Sequence, residues 1–161
     1  MEHRELLADG RHDPRREFAE RLQEALGGGS SPVLVYSSYE VGVVAELAST
    51  LPDLASRLDA LRARLVDLLP IVRRCIYHPA FGSSFSLKAV APALIEGFGY
   101  GDLDQIAGGG AASAAFLRIA SGGVSDAEEE ARLREALRVY CGRDTLALVE
   151  LHRALRLRSN V

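Results

Sequence analysis

The sequence predicts an α/β protein that is rich in helices. Two apolar segments predict strands: Pro32–Tyr36, a continuous apolar run suited to a sheet buried on both faces, and the brief Leu65–Val66. Apolar residues at helical spacing fill most of the remaining chain. A chain of 161 residues with 48% hydrophobic content can bury one substantial core, so we expect a single domain over residues 1–161.

In the first half of the chain, the sequence predicts a short strand at His3–Ala8 and two later strands. A helix is expected to begin at Asp13-Pro14, because these residues suit an N-cap and a first helical position. The strand Pro32–Tyr36 follows, and then a helix from Tyr39 to Ser49 that Ser37-Ser38 is expected to cap. The next helix has leucines spaced for burial at Leu54, Leu58 and Leu61.

The second half of the chain predicts mainly helices. Asp67 follows the strand Leu65–Val66 and would cap a helix that runs to about Ile76. A helix near Ser86 should be bent or shortened by Pro92. After a glycine-rich stretch at 97–110 and a small alanine-rich helix at 111–120, the segment SDAE at 125–128 predicts a capping box for the final helix.

One acidic residue interrupts the apolar stripe of that final helix. Seven positions follow a 4-3-4-4-3-4 spacing and therefore share one face of the helix: Leu133, Leu137, Tyr140, Asp144, Leu148, Leu151 and Leu155. An unpaired carboxylate is expensive to bury, so Asp144 needs an arginine, backbone donors or a metal ion. The last alternative makes Asp144 a candidate catalytic residue.

Glu40 is the second carboxylate of interest. It follows the C-terminal end of the best strand, which is where ligands bind in open α/β sheets. A glutamate in the first turn of a helix also simply complements the helix dipole, and that explanation stays open. Asp67 occupies a similar position, but capping explains it fully.

Composition narrows the function classes. The net charge of −3 gives no general attraction to nucleic acid but leaves room for a local basic groove. No apolar run is long enough to span a bilayer, and we expect a cytoplasmic protein without membrane contact. The two cysteines, Cys75 and Cys141, are expected to be buried free thiols.

Four segments, in this order, carry a family resemblance: VLVYSSYE at 33–40, RLVDLLP at 64–70, YHP and SFSLK within 77–88, and YCGRDTLA at 140–147. Together they resemble a bacterial domain-of-unknown-function family related to the DnaQ-like (DEDD) 3′–5′ exonucleases of the ribonuclease H-like fold. Members of this family often carry the domain behind a RecB- or Cas4-like nuclease region, which is therefore a possible partner.

The resemblance implies roles for three residues. In such exonucleases acidic side chains hold two Mg²⁺ or Mn²⁺ ions, and a tyrosine or histidine four residues before the last aspartate positions the attacking water. Tyr140, Asp144 and Glu40 are thereby implied as catalytic, with Glu40 and Asp144 as metal ligands. We expect their carboxylates to converge on one cleft at the C-terminal end of the strand at 33–36.

The resemblance also exposes a departure from the family pattern. The exonucleases have an Asp-x-Glu on their first strand, whereas the only Asp-x-Glu here is Asp126-Ala127-Glu128, late in the chain. We therefore expect an incomplete ribonuclease H-like domain, a C-terminal portion that lacks the first two strands. One edge of the strand at 33–36 should then be open, covered by another segment or paired with another molecule.

Two functions remain open from the sequence. The first is a metal-dependent 3′–5′ exonuclease-like domain that acts on single-stranded ends of DNA or RNA. The second is a non-catalytic nucleic-acid-binding or scaffold module, in which an arginine neutralises Asp144. Lys88 and His78 are candidate substrate-binding residues, although an exposed helical lysine and a turn-capping histidine are alternative explanations.

Overall fold

The computed structural model describes residues 2–26, 28–101, 106 and 108–159. Contacts divide the chain into two compact units. The sheet unit is Pro14–Ser86, and the helical unit combines Met1–Asp13 with Leu87–Val161. The expectation of one domain stays a prediction.

The sheet unit alternates helices with two short strands. Its parallel strands β1 (Val33–Val35) and β2 (Leu65–Asp67) pair with Val33 opposite Leu65 and Val35 opposite Asp67. Parallel strands need a crossover connection, and the helices α2 (Tyr39–Thr50) and α3 (Ala55–Arg62) supply it. The elements are α1 (Arg15–Leu26), β1 (Val33–Val35), α2 (Tyr39–Thr50), α3 (Ala55–Arg62), β2 (Leu65–Asp67), α4 (Leu69–Cys75) and a 3₁₀ helix (Pro79–Phe81).

One edge of β1 has no strand partner in the described part of the chain. The Val33 N–H donates to the Arg64 carbonyl oxygen at 2.9 Å, and the Val35 carbonyl accepts from the Leu68 N–H at 3.0 Å. Because backbone groups alternate along a strand, the N–H and C=O of Leu34 point to the opposite edge. Within the described ranges the sheet contains only β1 and β2, so no strand pairs with that edge there.

The core of the sheet unit follows the predicted periodicity. Leu58 and Leu61 of α3 are buried, Leu58 completely, and so is Leu54, which directly precedes the helix. Apolar residues of α1 and α2 complete the cluster: Ala19, Val44, Leu47 and Ala48. The spacing of leucines at 54, 58 and 61 therefore predicted the buried face of α3 correctly.

The helical unit is organised around one long helix. Its elements are α5 (Leu87–Leu94), α6 (Gly109–Ala120) and α7 (Ala127–Ser159). The stripe of α7 predicted from the sequence faces the interior, with Leu137, Tyr140 and Leu151 buried. α5 contains Pro92 and has eight residues, in agreement with the expected shortening. No helix in the described segments is long and apolar enough to cross a membrane.

The predicted strand at His3–Ala8 is wrong, because residues 3–8 pair with no strand. Arg134 of α7 instead donates to the carbonyl oxygens of Ala8 at 2.9 Å and Asp9 at 2.6 Å. Arg138 forms an ion pair with Glu5 at 3.4 Å. The Arg134 side chain thus satisfies the Ala8 carbonyl, a backbone acceptor that a neighbouring strand would otherwise occupy.

Two local predictions also need correction. Asp126, rather than Ser125, caps α7, since its Oδ1 accepts from the Glu128 N–H at 3.1 Å. Cys75 and Cys141 are free but exposed, not buried. Cys141 follows Tyr140 directly, and a step of one residue turns a helical side chain away from the buried stripe.

We predict that Leu151→Ala destabilises the helical unit by about 2–5 kcal/mol, because it leaves a cavity at a fully buried site in α7. Leu157→Ala in the same helix is the matched control, since Leu157 is 74% exposed and should change the free energy of unfolding by less than about 0.5 kcal/mol. Urea denaturation measures both. Equal losses would contradict the assigned packing of α7.

Candidate functional site

Tyr140 and Asp144 lie one turn apart on the buried face of α7. Tyr140 is 8% exposed, and Asp144 is half-buried. The Oδ1 atom of Asp144 is closed to solvent and has no hydrogen-bond partner among the described residues. Leaving a buried carboxylate oxygen unpaired is costly, so its immediate neighbours decide what the site can do.

Lys88 of α5 places its ammonium group over two tyrosine rings. Its Nζ atom is 4.4 Å from the ring centroid of Tyr140 and 5.2 Å from that of Tyr100. Both distances are within the range of cation–π attraction. Lys88 is half-buried, so the alternative of an ordinary exposed lysine is wrong. A positive charge, two phenols and a carboxylate therefore share one cluster.

Tyr100 is the residue of this cluster that the sequence did not indicate. Its ring packs edge-on against Phe98 at 5.7 Å between centroids. Arg143 holds the same segment, since its Nη1 donates to the Gly99 carbonyl at 3.2 Å. The Tyr100 hydroxyl is closed to solvent and has no hydrogen-bond partner in the described part of the chain. Aromatic residues within the glycine-rich stretch were the signal available.

The electrostatics of the cluster keep both phenols protonated. Burial raises the pKa of Tyr100, and the nearby Asp144 carboxylate raises it further. The pKa of Tyr140 is raised for the same two reasons, in the same order. The carboxylate thus lies close to both hydroxyl groups. At neutral pH each phenol is a hydrogen-bond donor that could serve Asp144 or a bound ligand.

Glu40 occupies a different setting, in the sheet unit. It is exposed in the first turn of α2, as predicted. With Phe18, Val35 and Val43 it lines an apolar groove of about 220 Å³. Glu40 belongs to one unit and Asp144 to the other, so the convergence of the two carboxylates stays a prediction.

Asp67 connects the ends of the two strands. Its Oδ1 accepts from the N–H groups of Ser37 and Leu69, both at 2.9 Å. Ser37 has a φ of 126°, which is strained for a residue with a side chain, and its Oγ accepts from the Tyr39 N–H. Ser38 is thus the N-cap residue of α2 but makes no side-chain capping bond, and the Ser37 hydroxyl accepts from the first helical N–H instead. These bonds give Asp67 a structural role.

Two further residues stand near this end of the sheet unit. The Tyr36 hydroxyl donates to the Phe85 carbonyl at 2.8 Å, and burial raises the pKa of Tyr36 to about 12. His78 precedes the 3₁₀ helix, and its Nδ1 accepts from the Ala80 N–H at 3.2 Å. The turn-capping role of His78 is thus observed, while its role in substrate binding stays a prediction.

The described residues supply too few ligands for a divalent metal centre. Across residues 2–26, 28–101, 106 and 108–159, no three His, Cys, Asp or Glu side chains come together in a group that could hold a metal ion. Asp144 is a suitable oxygen ligand for Mg²⁺ or Mn²⁺, but one carboxylate does not make a two-metal site.

Comparison with known proteins places this α/β chain in a family. The domain of unknown function DUF2779 matches residues 1–86, more than half of the chain, and the chain belongs to this family. The match covers the sheet unit with Glu40 and ends before Lys88, Tyr140 and Asp144. No curated protein and no solved structure matches the chain.

We predict that Asp144→Asn lowers the pKa of Tyr100 and Tyr140 toward the ordinary range, because it removes a negative charge that opposes phenolate formation. Ultraviolet titration of the phenols measures the shift, and Tyr100→Phe and Tyr140→Phe assign it. Glu150→Gln, also on α7, is the control and should leave both phenols unchanged.

The same shifts contribute to the loss of stability at alkaline pH. The folded-state pKa of each phenol lies above its unfolded value, so the protonated phenols add their full share to the free energy of unfolding at any pH below the unfolded pKa. That stabilisation is lost as the pH rises through the folded pKa. Asp144→Asn should therefore flatten the decline of stability above pH ~10. An unchanged alkaline profile would contradict the proximity of the carboxylate to the two hydroxyl groups.

Proposed function

We propose that the chain is part of a metal-dependent 3′–5′ exonuclease-like domain of the ribonuclease H-like, DnaQ-related type that acts on nucleic acid. The observation that carries the proposal is the Tyr140–Asp144 pair. The ammonium group of Lys88 lies over the rings of Tyr140 and Tyr100 beside it. Tyr140 and Asp144 have the spacing of the third motif of these exonucleases. The pair occupies a buried helical face, where a carboxylate would otherwise be a liability.

The cluster has the chemical features of a nucleic-acid site. The ammonium of Lys88 and the guanidinium of Arg143 are suited to phosphate oxygens, and the phenol rings are suited to base or sugar contacts. Tyr140 can hold a proton at its hydroxyl, since the pKa of that group is raised. We propose that this hydroxyl orients the attacking water and that Lys88 and His78 contact the substrate backbone.

Metal ions would supply the remaining chemistry, namely polarisation of the scissile phosphate and activation of water. Asp144 and Glu40 are the proposed ligands for Mg²⁺ or Mn²⁺. Because the described residues form no cluster of three ligating side chains, we expect weak metal binding and little cleavage by residues 1–161 alone. A RecB- or Cas4-like region in a longer polypeptide remains part of the proposal.

The second candidate is a non-catalytic nucleic-acid-binding or scaffold module. The incomplete set of metal-ligating side chains in the described ranges favours it. The Arg143 guanidinium, next to Asp144 in the sequence, donates to the Gly99 carbonyl and lies 5.9 Å from the Phe98 ring centroid. In this case Lys88 would contact phosphate and Asp144 would have no role in cleavage.

We predict that the natural full-length protein with Mn²⁺ shortens labelled single-stranded DNA or RNA from the 3′ end and that Asp144→Asn abolishes this activity. Tyr140→Phe should slow cleavage on the order of 100-fold, because it removes a group that orients water. Glu150→Gln, which changes a carboxylate on the same helix, should cleave normally. Cleavage that survives Asp144→Asn would refute the exonuclease proposal.

We also predict the behaviour of a purely binding module. Lys88→Gln should then weaken binding to single-stranded oligonucleotides and lower the slope of log K against log salt by about 1, as for one lost phosphate contact. Fluorescence anisotropy at several salt concentrations measures the slope. Binding that responds to Lys88→Gln, without any cleavage that depends on Asp144, would select the second candidate.

A further inference from the structure

Two polar atoms of the helical unit are buried together without partners. The Oδ1 atom of Asp144 and the hydroxyl of Tyr100 are each closed to solvent, and neither forms a hydrogen bond with the described residues. A closed atom has no room for a water molecule beside it, so solvent does not satisfy either group. The Oδ1 atom of Asp144 therefore lacks a hydrogen-bond donor, and the hydroxyl of Tyr100 can donate a hydrogen bond.

Other polar groups also lie near Asp144. Arg143 donates to the Gly99 carbonyl, and the ammonium of Lys88 lies over the faces of the two rings. The Tyr140 hydroxyl lies near the carboxylate as well, and a Cβ atom built on Gly109 would lie 3.9 Å from its oxygen. The Tyr100 hydroxyl is closed to solvent and has no acceptor among the described residues.

We propose that Tyr100 is a positioning residue for Asp144: its hydroxyl donates to Oδ1 and so directs the other carboxylate oxygen toward the ligand of the site. This inference rests on the proposed function, because it gives the orientation of a residue that we assign to catalysis. The donated bond satisfies two groups that are otherwise costly to bury.

The ring of Tyr100 is held well enough for this role. Phe98 packs against it, and Lys88 lies over it. The bond between Arg143 and Gly99 joins the segment that carries Tyr100 to the helix that carries Asp144. One hydrogen bond thus joins the chain neighbours of Tyr100 and Asp144, which favours a fixed carboxylate orientation over a freely rotating one.

A thermodynamic cycle tests the contact without reference to activity. Tyr100→Phe, Asp144→Ala and the double variant are compared by urea unfolding of the full chain. We expect Tyr100→Phe to destabilise the wild type more than it destabilises the Asp144→Ala background. Tyr77→Phe is the control for loss of a hydroxyl, because Tyr77 is 86% exposed. Additive effects of Tyr100→Phe and Asp144→Ala would overturn the proposal.

Activity and metal affinity test the positioning role in the natural full-length protein. Tyr100→Phe should weaken apparent Mn²⁺ affinity or kcat by about 10-fold to 100-fold while KM for the oligonucleotide stays unchanged, as expected when a group that orients a ligand is lost. Wild-type values of Mn²⁺ affinity and kcat in Tyr100→Phe would overturn the positioning role.

The two proposals fail in distinguishable ways. If Asp144→Asn leaves cleavage intact, the proposed function is wrong, whereas the cycle still decides whether Tyr100 holds Asp144. If Tyr100→Phe does not fold, the wild-type hydroxyl proton of Tyr100 is observed by NMR instead. A slowly exchanging signal that disappears in Asp144→Ala would support the proposal, and a signal that persists there would overturn it.

Discussion

The burial of one Asp144 carboxylate oxygen within the apolar stripe of α7 is the constraint on which the candidate site depends. A carboxylate in that position is tolerated only where donors or cations surround it. The helical unit brings Lys88 from α5 and Tyr100 from the segment before α6 to the same place. The packing of three separate parts of the unit is therefore coupled to the state of one acidic side chain.

The sheet unit has its own constraint at the end of its parallel strands. Ser37 adopts an unfavourable backbone angle there, and the carboxylate of Asp67 holds its N–H. Strain of this kind persists only where the surroundings enforce it. The result is a rigid turn that presents Tyr39 and Glu40 at the start of α2. Glu40 is thus carried on a well-fixed element even though its side chain is exposed.

The sequence predicted the elements whose signal is local. Helical spacing of leucines identified the buried faces of α3 and α7, and apolar runs identified both strands. The strand at 3–8 was wrong because a strand forms only by pairing with a neighbouring strand, and here Arg134 of α7 binds the Ala8 carbonyl instead. Tyr140 and Asp144 were found from their spacing. Tyr100 was missed because nothing local relates a loop tyrosine to a helix forty residues later in the chain.

The length of α7 affects how readily the helix unfolds around the candidate site. At 1.5 Å per residue its 33 residues extend about 50 Å, and Asp144 lies near the middle. Helices unwind most readily from their ends, so roughly four turns must open on either side before the peptide groups around Asp144 become free. Amide protons near the carboxylate should therefore exchange with solvent far more slowly than those at either end. Its position in the middle of the helix thus keeps Asp144 away from the local unfolding that occurs at the helix ends.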